Sequence, residues 1–558
     1  MDKEKTVNQI NKGLLSRKEY NLLDEDWISV MYKDSRIRKV SLLKAFEDSR
    51  DILRITCETE SMNVSILRLL LAITQTVMWR YDMDGGEEDV EDSDDVLDRV
   101  KEYFGEGKLP YETVKSYLEQ FRERFWLLHP TQPFYQSCDT SFGTVYENMA
   151  PIFGNVKESK NSATMPHYRI STGEAYRTMA FDEAARWLIH FQAYAFNIKV
   201  SPQDKIGKAA LLKSGKDPGS EKGPLASAGV ILYHGKNLFE TIMLNLCALM
   251  DGDTMWSEPP VPEWEEPVRA EIHCPVPFPG NIPQYYTLQK RRMRLYPEGD
   301  RIVGCCCADG DFYDGMSGRF FEQMTLWRAP SEKGEYFFQS HFVEKQVWRE
   351  FPVMFGHADF EGTEARRTPG VVLWFRKLEQ CGLIPEDRVF PMQAVGVKYD
   401  DSQGYLFDDI YSDVIDMSGG LLSEKGMVWE ERISVEVQKC EKTAWCITKC
   451  VDDIFKFLNK GKGAKETAQK LCSAYFSELD VRFRKWVMEI DPQKQDMDEK
   501  VSEWREINRG VAKQVVNEYL DTMSYDHYRY QNGLSRYAVE NMFSGALNSI
   551  LGKRKENK

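Results

Sequence analysis

Apolar positions in this chain follow two different rhythms, and the change from one to the other marks out its architecture. Near the start, the aromatic-rich segment YNLLDEDWISVMY (residues 20–32) precedes SLLKAFEDSRDI and NVSILRLLLAITQTVMWRY, both spaced as helices. A further helical pattern covers Tyr111 to Leu128, and Asp182 to Ala195 reads as a helix that turns Trp187, Leu188 and Phe191 inward. Between about 285 and 410 the spacing shortens to β-like runs broken by turns: RIVGCCCADGDFYDG, GRFFEQMTLWR and GEYFFQSHF. Helical spacing then returns in four segments, roughly 427–459, 464–490, 497–523 and 534–552, separated by NKGKG, DPQKQDMD and SYDHYRYQNG. Short links between successive helices favour an antiparallel bundle. The expected fold class is therefore α+β: a large mixed body over 1–415 and a C-terminal four-helix bundle over 416–558.

Polar stretches punctuate this pattern. Lys205 to Gly235 dissolves into Gly, Ser, Lys and Pro (KSGKDPGSEKGPLASAG), which builds no packed element and reads as a long loop. Prolines crowd Pro259 to Pro283. Asp84 to Asp98 is almost wholly acidic and Lys290 to Arg294 (KRRMR) is basic; a solvated loop and a solvated strand face are the plain expectations.

Composition narrows the function. With 558 residues and 42% hydrophobic content the chain can bury a core of two to four domains. Its net charge of -15 argues against coating nucleic acid by bulk electrostatics, so any such contact must be local. No apolar run approaches the roughly 18 to 20 residues that span a bilayer, and the start lacks a signal-peptide core, so the expected location is the cytoplasm, off the membrane. The twelve cysteines include no CxxC pair. Cys446 and Cys450 could share a helix face with Cys440 nearby, but no histidine is at hand to complete a metal site.

Catalytic signatures are missing. The eight histidines are scattered without HExxH or zinc spacing; Asp526-His527 reads as a polar turn and His357-Ala358-Asp359 as an ordinary loop. Gly461 to Lys465 precedes a helix without following a strand, so it is a hinge between helices, not a phosphate loop. No GxSxG elbow occurs. The expectation is no catalytic residue, no metal and no cofactor. A metabolic or nucleic-acid-processing enzyme with a helical accessory domain is the alternative, and activity of the isolated chain would favour it. A purely structural scaffold is a third reading.

Several segments, in order, resemble the CasA family, the large subunit of the type I-E CRISPR surveillance complex (Cascade). They are Asn21 to Val30; His129-Pro130 through Pro133-Phe134-Tyr135-Gln136, similar to an HPxxPFYQ signature; Ala185 to Ala193; and Gly235-Lys236-Asn237-Leu238-Phe239-Glu240-Thr241 with Leu244-Asn245-Leu246. The chain departs from many relatives in carrying Tyr286-Thr287-Leu288-Gln289, without a Thr-Trp, ahead of Arg291-Arg292, and in its N-terminal extension and acidic linker.

The resemblance implies an antiviral, non-catalytic subunit whose partners are other Cascade subunits, CRISPR RNA, double-stranded target DNA and a recruited helicase-nuclease. It further implies recognition of a short protospacer-adjacent motif (PAM) and help with duplex opening and R-loop formation, since guide pairing reads most of the sequence. Residue by residue it assigns a glycine-containing loop to Gly223, Ala226, Ser227, Ala228 and Gly229, and a basic finger to Arg319. The wedge falls on Ser402, Gln403 and Gly404 at a hairpin tip, where a flat amide can replace lost base contacts. Lys160, Asn161 and Arg169, within Lys157 to Arg169, would meet the guide RNA or neighbouring subunits.

Overall fold

The computed structural model describes residues 17–138, 144–146, 149, 178–195, 223–268, 275–310, 312–314, 320–328, 336–341, 344–356, 367–399, 407–457, 462–523 and 535–553. At the centre of the body lies the helix Glu60–Arg80. Thr59 caps it by accepting from the Met62 N–H, Glu60 and Arg80 complement its dipole, and from Ser61 to Trp79 every residue except Asn63 is buried. A helix apolar on all sides belongs inside.

This helix corrects one sequence expectation. At 21 residues it is long and apolar enough to cross a membrane, but 94% of its most apolar window is buried inside the protein. Packing against other helices and the hairpin described below accounts for its composition.

The strands form small sheets around this helix. Val389–Tyr399 and Phe407–Ser418 make a long antiparallel hairpin, extended on the other side by Val230–Tyr233. Arg291–Glu298 pairs with Arg301–Asp309, which also pairs with Thr144–Tyr146 and Met179–Ala180. A third sheet has the order Ile37–Val40, Ile28–Tyr32, Ile52–Ile55. Mixed helix and strand, followed by long C-terminal helices, is the α+β class expected.

Three local expectations fail for identifiable reasons. The helix begun at Tyr111 stops at Gln120, because the apolar run Trp126–Leu128 pairs with Glu19–Asn21 as a strand. Asp84 to Asp98 is only partly loop: Asp92 caps the helix Ser93–Glu106, and Asp94 and Asp95 sit in its first turn, where the helix dipole favours negative charge. The KRRMR run is not a solvated face. Lys290, Arg291 and Arg294 are buried, and Arg294 donates to the His129 carbonyl at 2.6 Å.

The four long C-terminal helices are Met427–Phe457, Ala464–Met488, Met497–Asp521 and Arg536–Leu551. Gly463, at φ +100°, makes the left-handed turn into the second of them, as the hinge reading expects. Trp486 stacks on Trp504 at 5.1 Å, the Tyr475 hydroxyl lies 2.7 Å from the Asn508 side chain, and Arg509 donates to Asn548 at 2.6 Å, so helices two, three and four interlock. The set is docked on the body by Trp348 stacked on Phe483 at 4.6 Å and by Arg349 forked onto Glu441 at 2.8 and 3.0 Å.

Candidate nucleic-acid interface

The motif residues turn out to be scaffold. His129 Nδ1 accepts from the backbone N–H groups of Thr131 and Gln132 at 3.2 and 2.9 Å, so its Nε2 carries the proton toward Glu123. Burial lowers its pKa against the pull of Glu123. Gln136 accepts from the Leu295 N–H at 2.9 Å and donates to the Leu127 carbonyl at 2.7 Å, tying the His-Pro turn to the basic strand. Gln192 grips the Arg291 backbone at both N–H and carbonyl, at 2.8 and 2.9 Å. Arg186 holds Glu58, Asp182 and the Trp27 carbonyl together. Asn237 caps the helix Leu238–Asn245, and Asn245 clamps Tyr233 at its N–H and carbonyl, at 2.9 and 2.7 Å. Buried amides of this kind satisfy backbone groups that secondary structure leaves open.

What the scaffold positions is a convergence of three candidate segments. Leu225 N–H bonds the Ala193 carbonyl at 2.9 Å and Gly223 N–H bonds that of Ala195, so the glycine segment starts on the end of the helix Phe181–Tyr194. A Cβ at Gly223 would lie 2.3 Å from the Ala193 oxygen, and one at Gly229 2.4 Å from the Gln339 oxygen. Glycine is required for close approach to the protein's own backbone here. Ala226 and Ala228 are buried, while Ser227 is half-buried and its carbonyl accepts from the Ser340 hydroxyl at 3.0 Å.

Contrary to the long loop expected over Lys205 to Gly235, Val230–Tyr233 is a fully buried strand: it continues from this segment and pairs with the hairpin, Val230 opposite Val395. Hairpin pairing runs from Val389–Ser418 to Tyr399–Phe407, leaving 400–406 as the connection with Gln403 at its midpoint. Tyr399 Oη donates at 2.5 Å to the Tyr194 carbonyl, so this end of the hairpin and the glycine segment share one anchor. On the opposite side, Leu326 N–H bonds the Gly229 carbonyl at 2.9 Å and Ile231 N–H that of Met324 at 2.8 Å. The segment that follows Arg319 is thereby fixed along the same strand.

Arg319, Ser402, Gln403, Gly404, Lys160, Asn161 and Arg169 themselves lie outside the described residues. So do His357-Ala358-Asp359 and Asp526-His527. Lys157 to Arg169 falls between Thr144–Tyr146 and Met179–Ala180, both paired with Arg301–Asp309.

Several supporting residues carry no motif signal. His341 Nε2 contacts the Val230 carbonyl at 2.9 Å, its Nδ1 meets Glu350, and its ring lies beneath Gly396 and 5.2 Å from Tyr411. Phe320 stacks on Trp327 at 5.4 Å with the Arg367 guanidinium 4.3 Å above it. Glu322 pairs in the core with Arg68 at 2.5 Å, and Arg68 lies 3.9 Å over the Tyr286 ring. These partners are separated by up to 254 residues, so periodicity cannot reveal them.

Two groupings of reactive side chains among the described residues are held inert by burial. Ser61 and His190 do meet, at 2.9 Å, but both are fully buried, and burial pushes the imidazole pKa down to about 3. Such a histidine is a poor base near neutrality. Cys446 and Cys450 line a groove of about 560 Å³ with Val539 and Phe543, and burial pushes the Cys450 thiol up to about 12, away from the thiolate a metal requires. Among the described residues, no group of three or more His, Cys, Asp or Glu side chains could hold a metal ion.

Comparison with known proteins assigns the family. The model of CRISPR-associated protein Cse1 matches residues 21–515. The chain belongs to the Cse1 family. A CRISPR-associated protein CasA/Cse1 of Thermus thermophilus is 25% identical over 518 residues, covering 89% of this chain and 91% of its own. The crystal structure of Thermobifida fusca Cse1 superposes with a TM-score of 0.78 at 25% identity, over 96% of this chain and 98% of that one. A chain of a CRISPR RNA-guided surveillance complex shares the fold, with a TM-score of 0.69 at 14% identity over 96% of this chain and 100% of its own.

Proposed function

We propose that this chain is the large, non-catalytic subunit of an RNA-guided surveillance complex. In that role it reads a short flanking motif in double-stranded DNA, assists opening of the first base pairs, and offers a docking surface to a helicase-nuclease that does the cutting. The observation that carries this reading is the joining of three segments to one strand network: the glycine segment, the strand after the Arg319 position and the hairpin around Gln403. DNA entering there would meet the backbone of the glycine segment, and the positions of Arg319 and Gln403 adjoin, in the chain, segments joined to it. Membership of the Cse1 family, and the fold shared with a chain of a surveillance complex, support it. The charge of -15 fits a subunit whose nucleic-acid affinity is local and supplemented by guide RNA and neighbours. Residues 416–558 then supply the bundle for contacts within the assembly, and Lys157 to Arg169, with Lys160, Asn161 and Arg169, would meet the guide RNA or neighbouring subunits.

The test is made in the assembled complex. Gln403→Ala should slow opening of a fully paired target while sparing one whose first base pairs are mismatched, because pre-opening removes the unstacking cost. Arg319→Ala should reduce discrimination between PAM and non-PAM DNA by about 1 to 3 kcal/mol, the worth of one good base contact. Equal losses on paired and pre-opened targets would remove Gln403 from the wedge role; an unchanged PAM preference would remove Arg319 from the site.

A further inference from the structure

The return strand of the hairpin alternates in and out, with Tyr411, Ile415 and Met417 buried and Ser412, Val414 and Asp416 outward. That alternation turns Asp413 inward too, onto a face where a carboxylate must find partners. It finds them on the second C-terminal helix, Ala464–Met488. Arg484 Nη2 donates to both Asp413 oxygens, at 2.8 and 2.9 Å, and Nη1 donates to the Val414 carbonyl. Asp480, one turn back on the helix, holds Arg484 Nε at 2.9 Å. Asp413 also accepts from the Val347 N–H at 2.8 Å, which ties in the segment that stacks Trp348 on Phe483. The guanidinium fork is therefore used on three sides, and both partners are only about a quarter exposed.

We infer that Arg484 is a positioning residue: it locks the pitch of the hairpin to the C-terminal helices, so that the two move as one body. Asp413 stands six residues along the strand from Phe407, about 20 Å at ~3.4 Å per residue. A small rotation at this clamp is thus magnified at the far end. The functional consequence rests on the wedge reading above: displacement of the C-terminal helices by neighbouring subunits would be delivered to the point where the duplex opens.

Arg484→Lys separates this role from simple charge pairing, because an ammonium on a flexible stem keeps the charge and loses the planar fork. In the intact purified chain, hydrogen exchange of the hairpin amides near Phe407 to Ser412 should quicken about ten-fold, with those of Val230–Tyr233 unchanged. Unchanged hairpin exchange, or a lysine that restores full protection, overturns the clamp. In the assembled complex the same variant should open a fully paired target about ten-fold more slowly and leave a pre-mismatched target unaffected. Combined with Gln403→Ala it should add little, since both act through one element. Equal loss on both targets would mean Arg484 acts through general stability and would overturn the positioning role. Faster hairpin exchange with normal opening in both Arg484→Lys and Gln403→Ala would confirm the clamp and remove the wedge reading instead.

Discussion

Asn245→Asp exchanges one atom in the clamp that sets the strand beside the glycine segment, and its cost follows from the geometry. The Asn245 Oδ1 accepts from the Tyr233 N–H at 2.9 Å, while Nδ2 donates to the Tyr233 and Thr241 carbonyls, each at 2.7 Å; the side chain is 0% exposed. An ionised aspartate would aim a second oxygen at two carbonyl oxygens with no solvent to screen it. The variant will instead bind a proton, raising its folded pKa from about 3.9 to 7 or above, about 3 units at ~1.4 kcal/mol each, or about 4 kcal/mol at pH 7. The neutral O–H can serve one of the two carbonyls, which adds about 1 kcal/mol for the other. A raised folded pKa makes the folded state the proton binder, so stability relative to the parent is kept below pH 4 and lost as pH rises. Asn245→Ala forgoes all three bonds, about 3 kcal/mol, without pH dependence. Urea unfolding followed by tryptophan fluorescence, variant against parent at pH 5 and pH 7, gives the comparison. The aspartate penalty should grow by about 3 kcal/mol over those two pH units while the alanine penalty stays level. An aspartate penalty that is flat with pH, or below about 1 kcal/mol, would refute the clamp.

His190 is held neutral with its pKa at about 3, below its ordinary 6.5, so its contribution to stability is complete above pH 6.5 and falls away below it. His190→Gln should remove about 2 kcal/mol of the parent's loss between pH 6.5 and pH 5; an acid limb of unchanged slope would contradict the burial argument. Arg68→Met should destabilise by about 3 to 5 kcal/mol because Glu322 is left buried and unpaired, and adding Glu322→Gln should recover most of it. Additive losses in that double variant would show the pair is not coupled. Residues 420–558 expressed alone should give a strongly helical circular dichroism spectrum; little helix would end the proposal of a bundle. Finally, the purified chain should neither cut DNA nor hydrolyse ATP, and magnesium-dependent cutting abolished by mutation of this chain would overturn the non-catalytic reading.

The elements legible in the sequence were those whose burial is periodic. Helical spacing placed the four C-terminal helices within a few residues of their observed ends, because each needs only one apolar face against its neighbours. Glu60–Arg80 shows the limit of that signal, since a helix buried on every side is as apolar as a membrane span and only its neighbours tell the two apart. Tyr111 to Leu128 fails differently. Helical spacing persists through Trp126–Leu128, yet Leu128 pairs with Glu19, a partner too distant in sequence for a local pattern to register. The basic strand departs from its pattern because arginine reads as exposed, whereas Arg294 is buried with its guanidinium donating to the His129 carbonyl, and Arg291 is buried on a backbone that Gln192 holds at both N–H and carbonyl.

The residues that mark the family and the residues proposed to touch DNA are different sets, and physical chemistry gives a reason. His129, Gln136, Gln192 and Asn245 are each committed to two or more backbone groups in the interior, where an unpaired donor or acceptor costs about 1 to 3 kcal/mol. Few side chains match such a pattern of donors and acceptors, so these positions are constrained by the fold and readable as motifs. A contact in a connecting segment bears no such constraint from its own chain. Its value depends on a partner outside the molecule, and several side chains can meet a base pair or phosphate from the same backbone. Gly223 and Gly229 belong to the first kind although their segment is proposed to face DNA, because a Cβ at either would collide with a neighbouring carbonyl. Ser227, half-buried between buried Ala226 and Ala228, is by contrast a position in that segment that already carries a Cβ, so its substitution does not force a side chain into a neighbouring carbonyl. Replacing Ser227 should alter DNA selection without the loss of stability that a Cβ at Gly229 would bring.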